Sequence, residues 1–253
     1  MGLQKPVSYF EFGKRFHTLL QYYYKPPQSL DATIDQNFPL QDEQMENDVQ
    51  VLFEAYKAAY PTEDFEVVDC ERAFELVLPQ GNLYSPSLVE AKHKYLGKID
   101  MLVRNYATKK LQVFETKTES RGSKRNSPRS WAARTQASLY TWAASQIYAE
   151  PIDSIILNVC TKASPKGQVG PSFRRDVLER TPAQVEQALK DLIWVADRLE
   201  EMQESGVYPR NTNSCVNEFG YDCDFYLPCH HGGMTPEILA SYVQIEPFAH
   251  LEL

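Results

Sequence analysis

The sequence predicts an α/β protein of layered helices and strands. The apolar pattern changes along the chain from helical spacing, to alternation, to one continuous apolar run, Ile152–Cys160. A short hairpin, Lys92–Thr118, stands between helical segments, and helices and strands interleave as layered α/β structures require. The 253 residues suffice for one large domain, or one domain with an appendage, and for a sizeable core.

Taken in order, Tyr9–Tyr24 reads as a helix with a heavily aromatic face, ended by Lys25-Pro26-Pro27. Gln41–Tyr60 reads as a second helix, closed by Pro61. Glu43, Glu46 and Asp48 lie at its start, where the helix dipole favours acids. Phe65–Leu78 alternates as a strand, and Pro79–Ser87 is a loop. Lys92–Arg104 and Leu111–Thr118 form strands around the turn Asn105-Tyr106-Ala107-Thr108. Ser130–Tyr148 reads as one helix, begun after Pro128 and stopped by Pro151. Ile152–Cys160 suits a buried strand, and Gln168–Glu179 a further one. Pro182–Gln203 is an amphipathic helix with Thr181 as cap and Pro182 in its first turn. Ser205–His231 is loop-rich. The expected division is a main domain over 1–204 (helical part 9–60, core 65–204) and a cysteine-containing extension over 205–253.

Apolar residues at 43% and charged residues at 24% match a soluble globular protein. No apolar run approaches the roughly 18 residues of a membrane span. Met1–Ser8 has no secretory pattern, so a cytoplasmic setting is expected. No Gly-x-x-x-x-Gly-Lys-Ser/Thr occurs, and nothing suggests use of ATP. The net charge of −8 does not advertise a nucleic-acid binder, but layout matters more than total. Between Lys109 and Arg134 stand eight Lys or Arg against two acids. Lys124, Arg125 and Arg129 lie there in a loop with Gly122, Ser123, Asn126, Ser127 and Pro128. That loop could grip a phosphate backbone, with affinity falling as salt rises; a solvated loop is the plain alternative.

The same basic tract surrounds Glu115-Thr116-Lys117. Side chains alternate along a strand, so Glu115 and Lys117 point the same way. The hairpin can bring Asp100, of Gly97-Lys98-Ile99-Asp100, beside Glu115. Two hard oxygen ligands with a cation next to them suit Mg²⁺ or Mn²⁺ and metal-assisted attack of water on a phosphodiester. A lysine near two carboxylates stays protonated, so Lys117 is better placed to position water and offset developing charge than to act as a base. Gln136 and Tyr140 are one helical turn apart and share a face. By themselves they could merely anchor the helix, as a Glu-x-Lys triplet alone could be a surface ion pair.

Together these residues resemble the PD-(D/E)xK nuclease superfamily in its RecB-like exonuclease branch. That branch reads Gly-x-x-Asp, then Asp/Glu-x-Lys, then Gln-x-x-x-Tyr, matched by Gly97–Asp100, Glu115–Lys117 and Gln136–Tyr140. An earlier Gly-x-x-x-His is similar to Gly13–His17. The resemblance runs from Gly13 to about Tyr140. It implies a restriction-endonuclease-like core, a small mixed β-sheet flanked by helices. It implies metal ligands at His17, Asp100, Glu115 and the Thr116 carbonyl, with Lys117 positioning water. Gln136 would orient Lys117 or the scissile phosphate, and Tyr140 would lie near the substrate strand. Glu71 resembles a glutamate of the family's first core strand and reads as a supporting rather than a ligating group. Ring-forming relatives leave a homo-oligomer open.

Cys215, Cys223 and Cys229, with His230 and His231, follow the core. Some relatives, CRISPR-adaptation and AddB-type nucleases among them, hold an iron–sulfur cluster. Only the x5 spacing matches theirs here, and no cysteine precedes His17. A zinc site is chemically possible. Reduced cysteines packing a loop are the favoured reading, and the odd count argues against a disulfide framework. The function expected is a Mg²⁺- or Mn²⁺-dependent DNA nuclease, an exonuclease of recombination, repair or phage DNA processing. The alternatives are a catalytically silent DNA-binding or assembly module and an iron–sulfur nuclease of CRISPR-adaptation type.

Overall fold

A computed structural model describes residues 2–4, 8–25, 43–79, 93–164, 168–211, 215–216 and 222–245. Most of the predicted loop Pro79–Ser87 and the Pro26-Pro27 stop lie outside these residues. The chain divides into two compact units, Tyr9–Ile193 and a second made of Met1–Ser8 with Trp194–Glu252.

The larger unit is built on a five-stranded mixed sheet in the order β2-β3-β4-β5-β6. Its strands are β2 (Phe65–Val77), β3 (Lys94–Asn105), β4 (Leu111–Glu119), β5 (Ser154–Thr161) and β6 (Ser172–Glu179). Neighbours are antiparallel except β4 and β5, which run parallel. A parallel pair needs a crossover, and two helices supply it. These are α3 (Pro128–Ala132) and α4 (Thr135–Tyr148). The β3–β4 turn is closed by Asn105, whose Oδ1 accepts from the Ala107 and Thr108 N–H groups. Lys109 completes it in the left-handed region at φ 61°.

On one face of the sheet lie α1 (Ser8–Tyr24) and α2 (Glu43–Ala59). Phe12, Phe16, Leu20, Val49, Leu52 and Tyr56 join the two helices to Cys160 of β5, and Arg15 pairs with Glu46 between them. On the other face, α4 lays Ala137, Ala143 and Ala144 against Leu111, Val113, Ile155 and Leu157. Those small side chains let the helix approach the strands closely. The helix α5 (Pro182–Ser205) adds Ala188 and Leu189 beside Leu139 and Leu78. Its start is a capping box: Thr181 Oγ1 accepts from the Gln184 N–H, and Gln184 Oε1 accepts from the Thr181 N–H. The architecture is the mixed sheet flanked by helices that the sequence predicts.

The expected helix Ser130–Tyr148 is two helices. Ser127 Oγ caps the first by accepting from the Ser130 N–H, with Pro128 in its opening turn. At the break, Arg134 is extended (φ −82°, ψ 129°). There the Trp131 carbonyl accepts from the Arg134 N–H at 3.1 Å and from Arg180, distant in the chain, at 2.8 Å.

The second unit contains β1 (Gly2–Gln4) paired antiparallel with β7 (Val243–Ile245). It also holds two short helices, α6 (Tyr226–His230) and α7 (Pro236–Leu239). No helix among the described residues is long and apolar enough to cross a membrane.

Candidate active site

The hairpin register Met101↔Phe114, continued one pair outward, sets Asp100 across from Glu115. The Thr116 N–H donates to Asp100 Oδ2 at 2.8 Å, which locks the carboxylate against β4. Glu115 is 1% exposed, a placement that a carboxylate tolerates only when paired. Lys117, on the same face, pairs with its Oε1, and Gln136 donates to that oxygen at 3.3 Å from the first turn of α4. The other oxygen, Oε2, is buried with no hydrogen-bond partner among the described residues. An orphaned carboxylate oxygen beside a second acid is what a hard cation would satisfy.

Electrostatics follow from this packing. Burial pushes the Glu115 carboxyl up to about 7, with the Asp100 charge adding and Lys117 opposing. Burial disfavours the Lys117 ammonium, but Glu115 and Asp100 outweigh it and hold its pKa above the usual lysine range. Lys117 is therefore a cation at neutral pH, unsuited to act as a base.

His17 enters from α1. Its Nδ1 lies 3.5 Å from Asp100 Oδ2 and 3.8 Å from Glu71 Oε1. Burial pulls the imidazole toward neutrality, yet Asp100 and Glu71 together raise its pKa. His17, Glu71 and Asp100 offer ligand atoms all within 4.8 Å of one another. A small pocket opens on them, lined also by Tyr24, Cys70 and Thr116. Glu71 thus sits closer to the centre than its resemblance alone implied, while Glu115 borders the group from β4. The cause is backbone: Glu71 takes φ 50°, a left-handed value costing a non-glycine residue ~1–3 kcal/mol. It interrupts the β2–β3 pairing between Cys70↔Met101 and Arg72↔Ile99. Lys98 pairs with its second oxygen.

Gly97 explains itself by its cross-strand partner. It pairs with Phe74, and a Cβ at Gly97 would stand 2.5 Å from that ring's Cζ. Phe74 in turn meets Tyr140 edge-on, with centroids 6.4 Å apart. The ring therefore ties the Gly-x-x-Asp strand to the Gln-x-x-x-Tyr helix. Gly97→Ala should displace Phe74 and lower stability by about 1–3 kcal/mol, read as a fall in Tm and a loosened near-ultraviolet dichroism. An unchanged Tm would contradict this packing.

Behind the site, Asn158 Nδ2 donates to Thr116 Oγ1 at 3.2 Å and to Tyr56 OH at 3.4 Å. Tyr56 accepts from Arg175 at 2.8 Å, and Arg175 pairs with Glu63. This chain braces Thr116 from the α1/α2 side.

Of the predicted residues, His17 and Asp100 stand together with Glu71, and Asp100 accepts from the Thr116 N–H, whereas Glu115 joins Lys117 and Gln136 and is not one of the groups lying within 4.8 Å of His17 and Asp100. Tyr140 is half-buried beside them, its hydroxyl pKa raised by burial and by the Glu115 and Asp100 charges. Lys124, Arg125 and Arg129 are exposed on the loop and at the start of α3. Cys215, Cys223 and Cys229 belong to the second unit, where the Cys223 N–H donates to the Cys215 carbonyl at 2.7 Å. Among the described residues their thiols do not form a group of three within 4.8 Å. Trp131, Arg134 and Asn158 were not singled out from sequence. A tryptophan inside the basic tract was the one available signal.

His17, Glu71 and Asp100 are a set of groups that could hold a metal ion. Residues 2–230 match the model of the PD-(D/E)XK nuclease superfamily, and the chain belongs to that superfamily. Among solved structures, a protein described as a "putative exonuclease" from Eubacterium rectale is similar at 13% identity and TM-score 0.46. The match covers 98% of this chain and 80% of that one. No curated protein matches the sequence.

Proposed function

We propose that this chain is a Mg²⁺- or Mn²⁺-dependent deoxyribonuclease of the RecB-like branch, an exonuclease acting in recombination, repair or phage DNA processing in the cytoplasm. The observation that carries this reading is Glu115: a fully buried carboxylate with one oxygen held by Lys117 and Gln136 and the other without a hydrogen-bond partner among the described residues.

His17, Asp100 and Glu115 would hold the cation, with the Thr116 carbonyl as a further candidate. Once bound, a divalent ion supplies Lewis-acid polarisation of the phosphate and acidifies nearby water. The protein's own groups do the rest. Lys117, kept charged by its carboxylate neighbours, orients the attacking water and offsets charge growing on the phosphate. Gln136 fixes Glu115 so that its free oxygen keeps one direction. Tyr140 borders the path of the strand, and Lys124, Arg125 and Arg129 hold the backbone further out.

The test is activity on end-labelled linear duplex, linear single strand and closed circle, each with Mg²⁺, Mn²⁺ or chelator. The reading predicts release of nucleotides from linear DNA, metal-dependent and abolished by chelator, with the closed circle resistant. Absence of degradation with either metal would favour a silent DNA-binding module, and cutting of the closed circle would remove the exonuclease assignment.

A further inference from the structure

Arg134 is a half-buried cation placed where a nuclease would need one, and none of the described residues gives it a carboxylate. Its guanidinium lies 4.7 Å above the Trp131 ring. Lys117 Nζ lies over the same ring at 5.6 Å. Trp131 is wholly buried and fixed at both ends: its indole N–H donates to Asn126 Oδ1 at 3.2 Å, and its carbonyl accepts from Arg180. One immobile aromatic platform therefore carries both cations. Arg134 Nη2 donates to the Arg125 carbonyl at 2.8 Å, which sets the direction of the fork and leaves its other donors available.

Arg104, Arg174, Arg175 and Arg198 each meet a carboxylate, whereas the exposed Arg121 and Arg210, like Arg134, are held by a backbone carbonyl; Arg134 differs from these two in lying on the Trp131 ring. Arg180 meets no carboxylate among the described residues, but it is 6% exposed and its two Nη atoms donate to the carbonyls of Glu179 and Trp131. Among the described residues Arg134 makes no ion pair, remains reachable, and lies close enough to Glu115 and Lys117 for their charges to interact. A planar fork with free donors, held on a rigid ring, suits the oxygens of a phosphodiester.

We propose that Arg134, held on Trp131, binds a backbone phosphate of the nucleic acid next to the one being cleaved. This assignment rests on the nuclease reading and adds a subsite to it. The break between α3 and α4 is what presents the residue: a continuous helix would turn position 134 with its neighbours, whereas the extended backbone there releases it toward the site.

The experiment uses the full chain in EDTA, where no cleavage occurs, and a fluorescein-labelled 20-base-pair duplex as probe. Affinity is measured against salt for wild type, Arg134→Gln and Arg134→Lys, with Tm for each. Loss of one phosphate contact predicts that Arg134→Gln binds about tenfold more weakly, with a salt slope smaller by about one, while Arg134→Lys, which keeps the charge and loses the fork, keeps the wild-type slope and binds with an affinity between the two. All three proteins keep the same Tm. Wild-type affinity and slope in Arg134→Gln would overturn the proposal. So would equal losses in both variants accompanied by a lowered Tm, which would make Arg134 a loop anchor. Cleavage of the same duplex by wild type with Mn²⁺ is scored separately. A wild type that neither binds nor cuts refutes the nuclease reading itself, whereas cutting with an unaffected Arg134→Gln refutes only the subsite.

Discussion

Asp100→Ala and Lys117→Ala should each lose DNA cleavage by about 10³-fold or more while remaining folded, because each removes a group that acts on the reacting phosphate rather than on the core. The Asp100 side chain is 17% exposed and that of Lys117 is 30%, so neither truncation opens a sealed cavity. Asp100 contributes one hydrogen bond to the Thr116 N–H and one carboxylate to the His17 group. Its loss should cost the metal-free protein only about 1–2 kcal/mol, visible as a Tm shift of a few degrees. Lys117→Ala leaves Glu115 without its cation, and that carboxyl then takes up a proton near neutral pH. Single-turnover cleavage of end-labelled linear duplex with Mn²⁺, alongside Tm, reads both effects. Full activity in either variant would remove that residue from the mechanism.

Glu115→Gln should give opposite signs for stability and activity. Burial pushes the Glu115 carboxyl up to about 7 in the folded protein, against an ordinary value of 4.5. The native state therefore binds more protons than the unfolded state between those values. Stability from this group falls as pH rises through that window and levels off above it. Glutamine carries no such penalty. Above pH 7 the metal-free variant should be more stable than wild type by about 1–3 kcal/mol, and its Tm should lack the descending part of the pH profile. Mn²⁺ should raise the Tm of wild type, more so at pH 8 than at pH 6, because the ligand must be deprotonated to bind. The variant should show little of that rise and no cleavage. A Glu115→Gln protein less stable than wild type at pH 8, with an unchanged pH profile, would mean that Glu115 is a structural ion-pair partner. A buried acid retained at a cost in stability fits a functional site.

Much of this was legible in the sequence because it is local. The hairpin announces itself by alternation on either side of a four-residue turn, and the face shared by Glu115 and Lys117 follows from strand geometry. The order of elements gave the layered class, and the motifs around Gly97, Asp100, Glu115, Lys117, Gln136 and Tyr140 carried the resemblance that implied the site. What escaped depends on contacts distant in the chain. The segment Ala132-Ala133-Arg134-Thr135 contains no helix breaker, and the contact that Arg180 makes with the Trp131 carbonyl at the break is not visible in the local sequence. Glu71 reaches His17 and Asp100 through a left-handed backbone turn within a strand, which alternation alone would have pointed elsewhere. Asn158 reads as an odd polar residue in an apolar run; its role appears only when Thr116 and Tyr56 are seen on either side.

The central claim is that His17, Asp100 and Glu115 hold a divalent cation beside Lys117. Anomalous diffraction from crystals soaked in Mn²⁺ tests it most directly. The account predicts a manganese peak bounded by these three side chains, reduced or lost in Glu115→Gln crystals. Manganese bound elsewhere, or a peak unchanged in Glu115→Gln crystals, would contradict it.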